Sequence, residues 1–460
     1  MPKRPTDYLV APTIRLDKGE GLAEALRCQR EFDPRVFLIF GGDAEDVLWL
    51  HETLEANADH PILFCADLER GAGQQFEGLT PLPDAWALGL LGMEAAYDAG
   101  QRTAAEAAQA NVRWVLGPVL DLHRTEDPTA VRSPIVGNRA FGSSLQRIIE
   151  CGKAFAQGVT DGGGIPCGKH FPGHGGCAQD SHTEMAICFE ELEPHLAPFK
   201  ACLDALPSIM VAHVEYPMFD PEGRPASRSK PILDILRNDW NYDGVIVTDG
   251  LRMAGLGDGP HDELAMECIQ AGSDLLLDPE DPVTLALTLR DAMERGDLDE
   301  ARVRQSVERI DKLIAFALNT EAPQPKPLVL GAGTKVLLHP LPGGTGGRKH
   351  VRPGCALNLA ATPDAINYLE EWGVPVLTPD QDPPCPLPDG ILILWGAANG
   401  RGLPDLPSAW LEAIHHERPR LYVAGSPDAI HAAPASARGW YVPGLSPALL
   451  GMLITADASV

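Results

Sequence analysis

The sequence predicts an α/β protein: a (β/α)8 barrel of the TIM type followed by a smaller α/β domain. Three observations carry this. Eight short, nearly all-apolar runs fall before residue 319 and alternate with amphipathic stretches. Strands apolar on both faces belong to a parallel sheet covered by helices on both sides. Eight strands is also the number that closes such a barrel, and roughly 250 to 320 residues is a suitable length for one. The alternative with the same alternation is an open doubly wound sheet, but no Gly-x-Gly-x-x-Gly opens the first unit.

The expected strands cover residues 8–14, 36–40, 62–66, 112–120, 165–169, 208–213, 245–248 and 274–277. Amphipathic stretches at 44–57, 85–110, 145–161 and 262–271 read as the helices between them. A last helix over 298–319 ends the barrel domain, residues 1–319. Residues 320–327 follow, with Pro323, Pro325 and Pro327 at alternating positions, a stiff extended connector without helix or ladder. Residues 328–460 form the second domain, with strands at 336–338, 374–377, 391–395 and 421–424 and helices at 364–372 and 409–416. Its Pro/Gly-rich segments 343–347 and 379–388 make its surface rich in loops. A chain of 460 residues exceeds one ordinary core, in keeping with two domains.

The hydrophobic share of 44% and charged share of 22% are those of a globular protein. A net charge of −27 argues against nucleic acid or anionic membranes as partners, since both need a positive face. There is no apolar run long enough to span a bilayer, and no apolar stretch follows the basic residues Lys3 and Arg4 as a signal peptide would require. The ten cysteines are scattered without Cys-x-x-Cys. They read as buried thiols of a reducing compartment, so the expected location is the cytoplasm.

Polar residues stand at the ends of the expected strands: Asp67 on the third, Asp121 on the fourth, Lys169 and His170 on the fifth, His213 on the sixth, Asp249 on the seventh. In a barrel all these ends lie on one face, where an active site is built. The densest stretch is Lys169-His170-Phe171-Pro172-Gly173-His174-Gly175-Gly176-Cys177-Ala178-Gln179-Asp180-Ser181-His182. It leaves a strand into a Gly-rich loop holding several titratable groups. Its Asp180-x-His182 pair suits a carboxylate-oriented imidazole, a common way to set tautomer and basicity. Asp249 is the first charge after a β-branched run and is followed by Gly250, which leaves the carboxylate open; it suits a nucleophile or a metal ligand. His170, His174, Asp180 and His182 have donor types that fit zinc or manganese, but their spacing matches no common zinc pattern, and no metal or other cofactor is expected.

These motifs resemble family 3 glycoside hydrolases, in particular their β-N-acetylglucosaminidase branch, whose signature runs Lys-His-Phe-Pro-Gly-His-Gly and then Asp-Ser-His. Four further segments are similar in order and spacing: Leu116-Gly117-Pro118-Val119-Leu120-Asp121, Val136-Gly137-Asn138-Arg139-Ala140-Phe141-Gly142, Met210-Val211-Ala212-His213 and Asp243-Gly244-Val245-Ile246-Val247-Thr248-Asp249. The resemblance covers residues 8 to about 318; the second domain is similar in kind to the α/β domain of many members. It implies Asp249 as nucleophile, His182 as general acid/base with Asp180 as its partner, and Asp67, Arg139, Lys169 and His170 around the sugar. His213 and Asp121 fall on motif positions, His213 counted with the substrate-binding set. Lys169 and Arg139 would also suit a carboxylate on a neighbouring muramic acid. Glu69 and Glu184, near the same rim, read as structural. Three segments depart from the family pattern: Asp67-Leu68-Glu69-Arg70-Gly71 replaces Asp-Gln-Glu-Gly-Gly, Gly250 replaces a second carboxylate, and no Pro follows Asp180-Ser181-His182.

The implied activity is a retaining exo-β-N-acetylglucosaminidase that removes terminal β-linked GlcNAc, with peptidoglycan fragments as the substrate. A phosphorylase is the nearest alternative, because a neutral imidazole repels an incoming phosphate less than a carboxylate does. A β-glucosidase of the family would instead draw a Glu acid/base from the second domain and lack the Asp-Ser-His loop. The non-enzyme alternative, a sugar-binding protein without catalysis, is opposed by intact Asp249 and His182.

Overall fold

The structure, a computed structural model, describes residues 4–19, 21–124 and 130–324, together with the backbone of six strands between residues 339 and 443. The first expected strand is two strands. Residues Pro5–Leu9 form a 3-10 turn, β1 is Val10–Ala11, and β2 is Thr13–Arg15. Pro12 between them has no N–H to give to a ladder, so the pairing changes side there. β3 (Val36–Phe40), β4 (Leu63–Ala66), β5 (Val112–Val115) and β6 (Ile165–Phe171) follow in parallel from β2. β7 (Ala186–Ile187) and β9 (Val214–Glu215) pair apart from them as a small two-stranded sheet. β8 (Ser208–Val211), β10 (Val245–Gly250) and β11 (Leu275–Leu277) continue the main sheet. β11 then pairs with β1, Val10 opposite Leu276. With β1 and β2 counted as one bent stave, eight staves close the ring. That is the predicted (β/α)8 barrel.

The reason for closure lies in the strands' composition. Every residue of β4, β6, β8 and β11 is buried. Such strands need cover on both faces, which the barrel gives them with side chains inside and helices outside. Inside, the fully buried Trp114 donates from Nε1 to Ser208 Oγ at 2.8 Å, and Ser208 passes its own proton to Pro166 O at 2.9 Å. The last helix, Glu300–Asn319, is tied in by Asp274, a buried carboxylate that accepts from Arg302 and Arg309, with Arg237 as a third partner. Asp7 clasps Arg290 through both oxygens at 2.6 and 2.7 Å, fixing the chain start to the helix Pro282–Arg295. Among the described residues no helix is long and apolar enough to cross a membrane.

Other elements differ from the sequence expectation for local reasons. The fourth strand stops at Val115 because Gly117-Pro118 breaks its ladder. The chain runs on extended, with Val119 bridging Lys169 and Leu120 N donating to Lys169 O. The helix expected over 85–110 is two, Ala85–Leu91 and Met93–Ala107, parted at Gly92, whose φ of +102° no helix allows. Helices Gly21–Glu31, Leu192–Cys202, Lys230–Asp234 and Pro282–Arg295 stand where the sequence pattern predicts none; the second holds Pro198 inside it and the third has five residues.

In the remainder, the strands His339–Pro340, Cys355–Asn358, Val376–Leu377, Gly390–Trp395, Arg420–Gly425 and Arg438–Pro443 form a six-stranded sheet, parallel except for its first member. Three of these match the strands expected at 374–377, 391–395 and 421–424. The strand expected at 336–338, both helices and the loop segments 343–347 and 379–388 lie outside the described residues.

Candidate active site

The C-terminal end of β6 supplies the centre of the site. Lys169 is only 1% exposed, and a buried ammonium needs anionic partners. It has two: Asp67 Oδ1 and Glu69 Oε1, both at 2.6 Å, from the chain leaving β4. Glu69 also takes a two-pronged bond from Arg139, Nε to Oε2 at 2.8 Å and Nη2 to Oε1 at 2.7 Å. Burial alone would raise the Glu69 carboxyl, but Arg139 and Lys169 together hold it well below the ordinary range. Two cations and two carboxylates thus balance. Among the described residues one of the three ammonium protons of Lys169 finds no partner, and the Asp67 side chain keeps about a third of its surface open.

From sequence Glu69 is expected to be structural and the cations to face the sugar. The structure makes Glu69 the joint that holds both cations in place. The buried Lys169 ammonium is therefore unsuited to a carboxylate on a distant neighbouring sugar. The signal was present, an acid two residues beyond Asp67 at a strand end, but its partners lie 70 and 100 residues away in sequence.

The next residue, His170, is oriented from both sides. Its Nδ1 lies 2.6 Å from Asp121 Oδ2, and its Nε2 lies 3.2 Å from Arg139 Nη2. A guanidinium only donates, so Nε2 accepts and the ring proton sits on Nδ1, given to Asp121. Asp121, completely buried, also accepts from the backbone N–H of His174 at 2.7 Å and of His170 at 3.3 Å. Burial would raise its pKa, but His170, His174 and these bonds bring it below the ordinary value. Asp121 is the residue that folds the start of the loop.

The loop then turns through His174, whose Nε2 meets Ser181 Oγ at 2.8 Å. Burial takes its pKa down to about 4. Asp180 Oδ1 accepts twice from His182, from the backbone N–H at 2.9 Å and from Nδ1 at 2.7 Å. Asp180 is buried while the His182 side chain is 55% exposed, so Nε2 of this ring faces outward. The loop is pinned to the chain beyond β10: Gly255 N donates to Ser181 O at 2.8 Å and Ala254 N to His182 O at 3.4 Å. Gly255 allows this contact, since a side chain there would lie 2.7 Å from His213 O and 3.0 Å from Ser181 Cβ. The ring nitrogens of His170, His174 and His182 therefore serve Asp121 with Arg139, Ser181 and Asp180 respectively, and do not converge as a metal site would require.

Asp249 stands near the end of β10 and accepts from Gly250 N at 2.8 Å. Burial pushes its carboxyl up, but His170, His213, the Gly250 N–H and His182 outweigh this and hold it below the ordinary value. The ionised form is the one the site favours. His182 is among the groups its charge feels, which brings the loop and the strand into one electrostatic site.

His213 departs from the expectation of a sugar contact. It is completely buried, with Nε2 3.2 Å from Gly250 O and Nδ1 2.7 Å from Ser227 Oγ. The carbonyl can only accept, so Nε2 donates and Nδ1 takes the Ser227 hydroxyl proton. With both nitrogens occupied, the ring props the backbone that presents Asp249. Ser227, which completes one of these bonds, carries no signal in the sequence, and Ser181, which holds His174, stands inside the Asp-Ser-His motif without a role of its own. The structure thus brings Asp67, Arg139, Lys169, His170, Asp180, His182 and Asp249 to one mouth of the barrel, and puts His213 behind it. A fixed carboxylate and an orientable imidazole with an open Nε2 suit attack at a carbon and proton transfer to its leaving oxygen.

Known proteins resemble this chain in sequence and in fold. Residues 45–313 match the model of the glycosyl hydrolase family 3 N terminal domain. A beta-hexosaminidase of Methylococcus capsulatus is 38% identical over 256 residues, 53% of this chain and 74% of the relative. One from Nitrosomonas eutropha is 33% identical over 299 residues, 60% of this chain and 84% of the relative. Two solved structures are similar over nearly the whole chain. A family 3 beta-N-acetylglucosaminidase from Paenibacillus sp. superposes with a TM-score of 0.78 at 21% identity, covering 100% of this chain and 98% of the other. A beta-glucoside phosphorylase bound to 2FGlc does so with 0.82 at 20% identity, covering 99% and 91%. At such identities the likeness is one of fold.

Proposed function

Since the chain belongs to glycosyl hydrolase family 3, we propose that it is a retaining exo-β-N-acetylglucosaminidase acting on terminal β-linked GlcNAc through Asp249 and the Asp180–His182 pair. The carrying observation is that pair: a buried carboxylate bonded twice to a histidine whose Nε2 is open, on a loop bonded to the chain beyond the Asp249 strand. Asp249 attacks the anomeric carbon from one face and forms a glycosyl ester. His182 Nε2 protonates the departing oxygen from the other side, then takes a proton from the water that releases the sugar. Asp180 holds the ring and stabilises the imidazolium each time it forms. Asp67, the free proton of Lys169 and Arg139 are the polar groups for the sugar hydroxyls, and His170, bonded at both ring nitrogens, holds Arg139 among them.

The natural substrate in this reading is a peptidoglycan fragment, met in the cytoplasm. The eight described cysteines are all free and buried, which supports a reducing compartment. The test is hydrolysis of nitrophenyl N-acetyl-β-glucosaminide and of GlcNAc–anhydromuramic acid, with NMR of the first-formed anomer. The β-anomer should appear first, and Asp249→Ala should lose roughly 10⁴-fold or more in kcat, as when a covalent nucleophile is removed. Equal inertness of wild type and variant on both substrates would refute the reading. Running the assay with and without phosphate separates hydrolysis from phosphorolysis by the product formed.

A further inference from the structure

The loop that bears Asp180 and His182 rests on a second group of reactive side chains that no step above uses. Cys188 and Glu190 lie just beyond β7, and His195 stands in the helix Leu192–Cys202. Cys188 Sγ, a Glu190 oxygen and a His195 ring nitrogen all lie within 4.8 Å of one another. His195 Nε2 is 2.9 Å from Glu190 Oε2, while its Nδ1 is buried without a hydrogen-bond partner among the described residues. Glu190 in turn pairs with Arg124. Cys177, three residues before Asp180, directly follows Gly176, where an added side chain would meet Cys188 Sγ; both cysteines are buried in the same apolar cluster.

Two glycines seat the loop on this group. A side chain at Gly173 would lie 2.7 Å from His195 Cβ, and one at Gly176 would lie 2.7 Å from Glu190 Oε2 and 2.9 Å from Cys188 Sγ. The charges alternate along the group: sulfur, imidazole, carboxylate, guanidinium. Arg124 already meets the Glu190 charge, so the carboxylate needs no divalent cation, which favours thiolate chemistry over metal binding.

We propose that Cys188 and Cys177 form an oxidation site, where a small peroxide turns the two thiols into a disulfide that staples the acid/base loop to the chain behind β7. The Cys188 thiolate attacks the peroxide. An S–O bond forms, the O–O bond breaks, and the leaving oxygen takes the proton of His195 to give water, or an alcohol from an organic peroxide. The Cys177 sulfur then attacks the resulting sulfenic acid. The S–S bond forms, the S–O bond breaks, and hydroxide leaves with the Cys177 proton as a second water. Two thiols lose two electrons and one peroxide gains them. Both sulfurs are buried, so the peroxide reaches them when the Gly173–Gly176 turn lifts transiently. The surroundings fit these roles. The neighbouring Cys177 thiol, against burial and aided by His195, brings the Cys188 thiol down to about 5, while Cys177 is pushed up.

The link to catalysis rests on the reading of His182 above; the cross-link does not. The test treats the purified full chain with hydrogen peroxide and maps its peptides without reduction. The expected result is one Cys177–Cys188 peptide, loss of two of the ten thiols, and recovery of both with dithiothreitol. In Cys177→Ser, dimedone should label Cys188 instead. Turnover of the nitrophenyl substrate should fall about 10²-fold in the oxidised protein and return on reduction, the size expected when a catalytic group is held about an ångström off position. Ten intact thiols, or a disulfide between other cysteines, would overturn the site. One zinc per chain in the protein as purified, lost in Cys188→Ala, would overturn it in favour of a metal centre. A cross-link that leaves turnover unchanged would overturn the staple.

Discussion

Replacing Asp180 by Asn isolates the contribution of one negative charge to the acid/base histidine. Asn keeps the size of the side chain and an oxygen able to accept from His182. What it removes is the charge 2.7 Å from Nδ1, which matters when the ring becomes an imidazolium. Two unit charges about 4 Å apart attract by roughly 1 kcal/mol in water and about 4 kcal/mol near a protein surface. Asp180 is buried but the His182 ring is 55% exposed, so a value between the two applies. About 2 kcal/mol corresponds to a loss of roughly 30-fold in kcat. The loss should depend on the leaving group. A nitrophenolate departs with little protonation, whereas a sugar alkoxide needs the imidazolium proton, so the glycosyl-transfer step should suffer more on a disaccharide than on the nitrophenyl substrate. The assay is single-turnover and steady-state kinetics on both, with circular dichroism as a check on folding. An Asp180→Asn enzyme slowed equally on both, or not slowed at all, would show that the pair does not work as proton donor.

Removing Glu69 should loosen the barrel mouth. Glu69→Ala leaves the Arg139 guanidinium without its paired acceptor and Lys169 with Asp67 alone, so urea unfolding should show about 3–5 kcal/mol lost, as for other broken buried ion pairs. Because the folded-state pKa of Glu69 is depressed, its stabilisation is present above the unfolded value and disappears as pH falls through the lower folded one; the variant should lose that acid-side slope. The nucleophile has the same sign: with Asp249 held below the ordinary carboxylate range, the acidic limb of kcat/KM that it sets should lie under about pH 3.9, measured in short assays that outrun acid unfolding. Gly175→Ala should displace the catalytic loop, because the added carbon would lie 1.6 Å from the Leu122 carbonyl oxygen; a kcat loss of about 10²-fold or more is expected, with smaller change for Ala at the solvent-facing Gly78 as a control.

The barrel was legible because its strands are apolar on both faces, and few other folds use such runs in that number. What escaped was decided by single residues acting on backbone hydrogen bonds. Pro12 divides the first strand, Pro118 ends the fourth early, and Gly92 cuts a helix in two. The site divides in the same way. Asp180 and His182 are two residues apart, so their pairing could be read from spacing. The Lys169–Glu69–Arg139 joint spans long stretches of sequence and exists only once the strands are side by side. His213 was found at the right strand end, but which way its ring nitrogens point depends on Ser227 and Gly250 O, and no pattern in the sequence carries that.

The bend at Pro12 has a bearing on how the molecule is made. The seam of the ring joins Val10 to Leu276, so the opening stave stays half-partnered until the last one has been synthesised. Until then Leu9, Val10 and Ala11 have no wall to lie against on that side, and the Asp7 clasp has no Arg290 to hold. A ribosome emitting this chain releases an unsealed, curling sheet first, and the finished cylinder forms late, through contacts far apart in sequence.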